Sequence, residues 1–465
     1  MPLPPEPAQS PLLQTLAWSF RPLAFMARNR ERIGSTFSVR FLGFERPMVM
    51  VSDPAAVKAL YTERRNGLPP GRSFQLEPVL GPRSVLLLEG EEHLARRRLM
   101  LPPFHGERMR SYEGVVEEIV TAEIDSWQLG REFPIHARMQ AVTLEVILRA
   151  VFGVAEGPRL DRLRVLLRDL LAETGSTRMV LRAVLARRRD SDPFAAVRAQ
   201  LAEVDEALFA EIAEHRLRPD LEERDDILSM LMTARFEDGL SAERPSEVAG
   251  DDEREGAKHE SYDRMDDKEL RDQLMTLLLA GHETTATALA WTFDLLLRHP
   301  AELGRLRDSL AAGEDAYLKA TIAESLRLRP VVPLAGRRLA EDLVTDELEL
   351  PAGTDVTAAI WLTHTDPALY PEPFAFRPER FLDAPPDTYA WIPYGGGVRR
   401  CLGAAFAEFE MRIVLREVLT RCELRKVDPR PERTARRNIT FSPRAGTPVV
   451  VESRAPAREF AVMAA

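Results

Sequence analysis

The sequence predicts a mostly α fold with a smaller β part. Apolar residues recur at helical spacing through most of the first 330 residues, the pattern of one buried helix face after another. One such pattern, 266–298, is long enough for about 50 Å of helix. Strand-like runs are short and do not alternate with helices as βαβ units would require.

In order along the chain, 36–42 and 47–52 alternate or run apolar on either side of Gly43-Phe44-Glu45-Arg46, which predicts a strand pair. Helix periods follow at 54–64, 91–100, 106–128, 137–152, 157–172, 194–216 and 266–298. The last stops at His299-Pro300, because proline cannot continue a helix. Strand signals return at 344–350 and 446–452, and no repeat of fixed period is present. Residues 1–35, with five prolines by Pro11, read as a proline-rich lead-in; 36–452 read as one domain and 453–465 as a tail.

The formal charge of −10, from 63 basic and 73 acidic residues, argues against a nucleic-acid binder. Two cysteines, Cys401 and Cys422, give no disulfide framework and fit a reducing cytoplasm. Cys422, near the end of an apolar helical stretch, reads as packing. The apolar run at 12–27 is interrupted by Gln14 and Arg21, too broken for a spanning helix, so no transmembrane anchor is expected. Residues 251–269 are strongly acidic and read as a solvated surface loop. Residues 178–189 carry five Arg among apolar residues; they read as a lid helix over a substrate entrance, with a membrane-surface helix as the alternative.

The chemistry concentrates at Cys401, within Pro393-Tyr394-Gly395-Gly396-Gly397-Val398-Arg399-Arg400-Cys401-Leu402-Gly403. A glycine-rich loop entering a helix offers unpaired amides, and Arg399 and Arg400 add positive charge, so a thiolate is favoured there. Glycines also let the backbone approach a large flat group closely. A single thiolate beneath a planar macrocycle is the axial ligation that promotes O–O cleavage.

With these residues the chain resembles the cytochrome P-450 superfamily of haem-thiolate monooxygenases. The family loop has a Phe seven before the Cys, a Gly four before, an Arg two before and a Gly two after. Gly397, Arg399, Cys401 and Gly403 stand at those places, with Tyr394 in place of the Phe. The resemblance implies the family fold, with haem b between the long helix and the Cys-loop helix, ligated by Cys401 and bordered by Tyr394, Gly395, Gly403 and Ala280.

Within 266–298 lies Ala280-Gly281-His282-Glu283-Thr284-Thr285. Glycine and β-branched hydroxyls are poor helix composition, so something besides propensity placed them. Ala280 and Gly281 leave room for a diatomic molecule, Thr side chains can bond back to carbonyls, and Glu283 can relay protons. The segment is similar to the family's oxygen-activation motif, which makes Glu283 the acid and Thr284 the catalytic alcohol.

Glu324 and Arg327 stand three apart on one helix face, followed by Phe376-Arg377-Pro378-Glu379-Arg380-Phe381. By resemblance Glu324, Arg327 and Arg380 form a buried ion-pair cluster that braces the Cys loop. His93 and Arg97, four apart, together with Arg337 (or the adjacent Arg338 in its place) and Arg399, would hold the haem propionates. Expected pocket walls are Leu76, Val79, Leu277, Val332, Leu334 and Phe441, apolar side chains that suit a terpene, fatty acid, steroid or polyketide-like substrate.

The expected function is insertion of one atom of O2 into a lipophilic small molecule by a cytoplasmic monomer. No reductase domain follows 452, so electrons are expected from a separate ferredoxin or flavodoxin with its reductase, attracted by Arg96, Arg98, Arg400, Arg412 and Arg416. The alternatives are a peroxide-driven or reductant-independent haem-thiolate enzyme and a haem-based ligand-binding protein.

Overall fold

A computed structural model of the chain describes residues 3–456 apart from 45, 64, 69–71, 105, 154–156, 175–194, 236–263, 383–386 and 438. The basic segment 178–189 and the 251–263 part of the acidic segment lie outside the described residues. The chain divides into two compact units, Met1–Asn66 with Ser111–Thr143 and Glu283–Ala465, and Gly67–Arg110 with Leu144–His282.

The first unit holds every strand among the described residues. These are β1 (Thr36–Val39), β2 (Met48–Val51), β3 (Glu132–Pro134), β4 (Ala335–Arg338), β5 (Leu343–Val344), β6 (Glu349–Leu350), β7 (Asp355–Ala358), β8 (Cys422–Lys426), β9 (Thr434–Arg437), β10 (Thr440–Pro443) and β11 (Pro448–Arg454). The largest sheet runs β1-β2-β7-β4. Its β2–β7 pair is parallel, and its outer pairs are antiparallel. Successive side chains of a strand point to opposite faces, and β2 uses both. Val49 and Val51 join Val57, Leu60, Tyr61 and Val356 in one core cluster, while Met50 joins Phe25, Met26 and Phe37 in another. Edge strand β4 sets Arg337 opposite Val356.

The lead-in differs from its sequence reading. It forms helices Pro11–Phe20 and Pro22–Ile33, each with proline in its first turn, where the missing N–H costs nothing. Phe25 and Met26 of the second helix are buried in the cluster with Phe37 and Phe41. Pro11 and Pro22 thus mark the two helix starts.

The second unit is helical. It contains Arg72–Leu80, Gly90–Met100, Pro158–Thr174, Ala195–Arg216, Ile227–Thr233 and the first part of the long helix Asp267–Arg298. Asp226 caps Ile227–Thr233 by accepting from the Ser229 amide at 2.8 Å. The expected acidic surface loop needs correction at its end. Asp266 accepts from the Glu269 amide at 2.9 Å and so caps the long helix, and Met265 and Glu269 are buried. Arg96 balances the Glu269 charge, donating to it at 2.7 Å. The long helix passes from the second unit into the first between His282 and Glu283.

Candidate active site

The Cys loop belongs to the first unit. Gly395 and Gly397 take φ of 67° and 64°, left-handed values that glycine adopts without strain. Gly396 is extended, but a Cβ there would lie 2.3 Å from the Tyr61 ring, and one on Gly397 would lie 2.0 Å from the Tyr61 carbonyl oxygen. Both glycines therefore serve close packing against helix Pro54–Thr62. The Cys401 amide, expected to be unpaired, donates to the Tyr394 carbonyl at 2.9 Å. The following helix, Ala404–Arg421, starts three residues later with Gly403 as its N-cap. Cys401 itself is exposed and Cys422 is buried; burial pushes the Cys422 thiol up to about 11, which suits packing. The Tyr394 hydroxyl is buried, and burial, with Glu408 beside it, raises its pKa well above the ordinary value. The Arg400 guanidinium lies 6.0 Å from the Tyr394 ring centre, and Arg399 is half-buried in a short turn, Gly397–Arg399.

The structure brings Glu324, Arg327 and Arg380 together. Arg327 donates to both Glu324 oxygens at 2.6 and 2.8 Å, with both side chains fully buried. Arg380 approaches Glu324 at 3.5 Å. The remaining Arg327 donors reach the carbonyls of His364 and Pro373 at 2.7 and 2.8 Å. A route to the Cys loop then runs through His364, which sequence reasoning missed. Its Nδ1 meets the Arg327 carbonyl at 3.1 Å, and its Nε2 accepts from the Ile392 amide at 2.8 Å. Burial, assisted by the Arg327 charge, lowers its pKa to about 3, and only a neutral ring can donate from one nitrogen while accepting at the other. Two further bonds tie the same stretch, Trp391 to the Ala323 carbonyl at 3.1 Å and Tyr370 to the Ala390 carbonyl at 3.1 Å.

Glu283 sits in a polar cluster of the first unit. Gln140 donates to it at 2.5 Å and the Thr287 hydroxyl at 3.5 Å, while His136 and Arg437 stand 3.8 and 3.9 Å away. Burial pushes its carboxyl above the ordinary carboxylate value, and Gln140, Arg437 and Thr287 pull it partly back. The carboxyl is thus tethered in place, with burial the largest influence on its pKa. His136 and Gln140, one turn apart on helix Ile135–Phe152, had no role in the sequence reading. Thr284 is half-buried, and Thr285 and His282 are buried. Ala280 is exposed. Gly281, expected to leave room for a diatomic molecule, instead faces Ile147, whose side chain would lie 3.3 Å from a Cβ there.

In the second unit His93 is buried and Arg97 half-buried on one face of Gly90–Met100. Leu76 and Val79 are half-buried and Leu277 is buried. In the first unit Val332 is half-buried, whereas Leu334 packs against the Phe25–Phe37 cluster. Phe441 is buried with its ring 6.2 Å from Trp18, and its carbonyl accepts from Trp291 at 2.8 Å. Of the five arginines expected to attract a redox partner, three have internal partners. Arg96 holds Glu269 at 2.7 Å, and Arg416 and Arg412 meet Asp315 at 2.8 and 3.9 Å. Arg98 and Arg400 are exposed.

A haem requires a presented sulfur and donors for its carboxylates. Arg337 fits that requirement: it is 6 % exposed, its guanidinium bonds the Gly336 carbonyl at 2.8 Å, and among the described residues no carboxylate pairs with it. Burial of this cation lowers its pKa, the cost that an anionic partner would offset.

Residues 4–446 match the family model described as Cytochrome P450. The chain is 38% identical over 461 residues to a Mycobacterium tuberculosis protein bearing the name cytochrome P450 135B1, covering 97% of this chain and 92% of that one. A second, cytochrome P450 137 of the same organism, is 37% identical over 403 residues, 86% of this chain and 80% of the relative. Among solved structures, retinoic acid bound cyanobacterial CYP120A1 superposes with a TM-score of 0.80 at 23% identity, covering 97% of this chain and all of that one. The cytochrome P450DA heme domain gives 0.81 at 22% identity, covering 98% and 99% of the two chains. No helix among the described residues is long and apolar enough to cross a membrane. The thiolate loop, the braced Glu324–Arg327 cluster and these matches lead to one conclusion: the chain belongs to the cytochrome P450 family and is a haem-thiolate monooxygenase that uses O2 and takes electrons from partner proteins.

Proposed function

We propose that this enzyme binds haem b through Cys401 and hydroxylates a lipophilic small molecule of terpene, fatty-acid, steroid or polyketide type. Bound haem supplies the O2 activation and electron uptake. The chain's own task is then to hold the sulfur, fix the propionates and move protons. Cys401 Sγ is the ligand; His93, Arg97, Arg337 and Arg399 hold the propionates; Tyr394, Gly395, Gly403 and Ala280 border the ring. Glu324, Arg327 and Arg380 keep the loop in place by way of His364.

Glu283 and Thr284 deliver protons from the long helix. The observation that carries this reading is the Glu283 carboxyl on the long helix, tethered by Gln140 and raised in pKa by burial. A positioned acid whose pKa lies near the working pH is the efficient proton donor. Leu76, Val79, Leu277 and Val332 keep the substrate-contact role expected of them, while Leu334 and Phe441 are committed to packing around Trp18 and Phe25.

Electrons come from a ferredoxin or flavodoxin with its own reductase, drawn by the exposed Arg98 and Arg400, to a monomer in the cytoplasm. Two variants test the scheme. Cys401→Ala should abolish the thiolate-type absorbance of the reduced CO complex. Thr284→Ala, supplied with a surrogate reductase, should consume NADPH but release peroxide in place of product; intact coupling would sink the proton-delivery role.

A further inference from the structure

Tyr61, at the end of helix Pro54–Thr62, combines deep burial with an unmet polar group. It is 2 % exposed, and its hydroxyl has no hydrogen-bond partner among the described residues. A phenol O–H left dry and unpaired is costly, and native structures rarely keep one without a reason. Burial pushes its pKa up to about 12, so it remains a donor at any working pH.

Its surroundings indicate what the donor is for. Gly396 and Gly397 close on the Tyr61 ring and carbonyl, so near that a Cβ on either would collide. On another side the Arg337 guanidinium carbon lies 5.3 Å from the ring centre. Arg337 is a buried cation without a carboxylate partner among the described residues, and its own bond to the Gly336 carbonyl leaves further N–H groups to satisfy. The buried guanidinium thus lies over the ring of a buried phenol, neither has a carboxylate partner among the described residues, and Tyr61 packs against the Cys401 loop.

We propose that Tyr61 is a further haem-binding residue, donating its hydroxyl to the same propionate that pairs with Arg337. This rests on the propionate role given to Arg337. The shared carboxylate would fix the haem edge relative to the loop that presents the sulfur.

The test follows haem release from the ferric holoenzyme to an excess of apomyoglobin, with the reduced-CO spectrum as a check that thiolate ligation survives. Tyr61→Phe keeps the ring and removes only the O–H. It should speed release about tenfold, as expected for one lost charge-assisted hydrogen bond, and leave the thiolate spectrum unchanged. Arg337→Gln should also speed release, and the double variant should fall short of the product of the two effects, because both donors serve one acceptor. Reconstitution with the dimethyl ester of haem, which lacks the anionic carboxylates, should bring the Tyr61→Phe and wild-type rates together. Unchanged release in Tyr61→Phe beside accelerated release in Arg337→Gln would overturn the role of Tyr61 alone. Unchanged release in Arg337→Gln would overturn the propionate assignment beneath it. A Tyr61→Phe effect that persists in full with the diester would show that the phenol acts elsewhere and also overturn the proposal.

Discussion

Glu324→Gln should lower the thermal midpoint of the holoenzyme by about 3–5 °C, a figure that follows from the geometry of its ion pair. Glu324 and Arg327 are both fully buried. The substitution keeps the shape but leaves the guanidinium facing an amide with one acceptor oxygen, so one of the bonds at 2.6 and 2.8 Å is lost together with the compensating charge. Removing one partner of a buried pair costs about 3–5 kcal/mol. The peptide oxygens of His364 and Pro373 still accept from Arg327, which favours the lower end. Unfolding entropy of about 2.1 cal/mol/K per residue, over 465 residues, makes each kcal/mol worth roughly 1 °C. Calorimetric scans at one fixed rate measure the shift. The double variant Glu324→Gln with Arg327→Met removes the Arg327 charge along with its partner and leaves only the more distant Arg380 near the amide, so it should lose clearly less than the two single variants added together. A single variant within about 1 °C of wild type, or strict additivity, would refute the argument.

Glu283→Gln removes the transferable proton and should cut product formation roughly 10²–10⁴-fold, with peroxide rising in step; unchanged product per NADPH is the contrary result. Gly397→Ala places a methyl 2.0 Å from the Tyr61 carbonyl at a φ of 64°, and overpacking of this kind costs about 1–3 kcal/mol before backbone strain is added. Haem content after purification should fall, and full occupancy would count against the packing argument. Glu410 is buried, and that burial alone holds its carboxyl well above the ordinary value. A raised folded pKa means that stability is fully present below the unfolded value and lost as pH climbs toward the folded one. Wild type should therefore lose up to about 1.4 kcal/mol per pH unit in that interval, while Glu410→Gln does not. Parallel midpoints for the two proteins from pH 5 to 9 would contradict the assignment.

The glycine-rich Cys loop, the long helix and the Glu324–Arg327 pair were legible because each rests on local residue types at fixed spacing. Glycine tolerance of left-handed backbone, the stop at His299-Pro300 and the three-residue spacing of Glu and Arg all act within a turn or two. What escaped notice depends on residues far apart in sequence. His364 gains its function only where the Arg327 carbonyl and the Ile392 amide meet it. Gln140 and His136 matter because of Glu283, more than 140 positions away. The lead-in was read only as proline-rich, and its helices were not assigned, although Pro11 and Pro22 stand in first helical turns, where proline is favoured. Gly281 packs against Ile147, a contact that no local pattern reveals. The partner-facing arginines were overcounted for the same reason, since Asp315 and Glu269 neutralise Arg416 and Arg96 from other elements.

His364 has a consequence for how the molecule meets acid. Its imidazole stays neutral until about pH 3, so it keeps its bonds to the Arg327 carbonyl and to the Ile392 amide ahead of the Cys loop throughout mild acidification. The unfolded chain, by contrast, takes up that proton at the ordinary 6.5, and each unit below it subtracts about 1.4 kcal/mol from the folded state. Acid therefore erodes the margin of the folded chain before it releases this contact, and failure should come abruptly, as loss of tertiary structure rather than gradual loosening of the Cys loop.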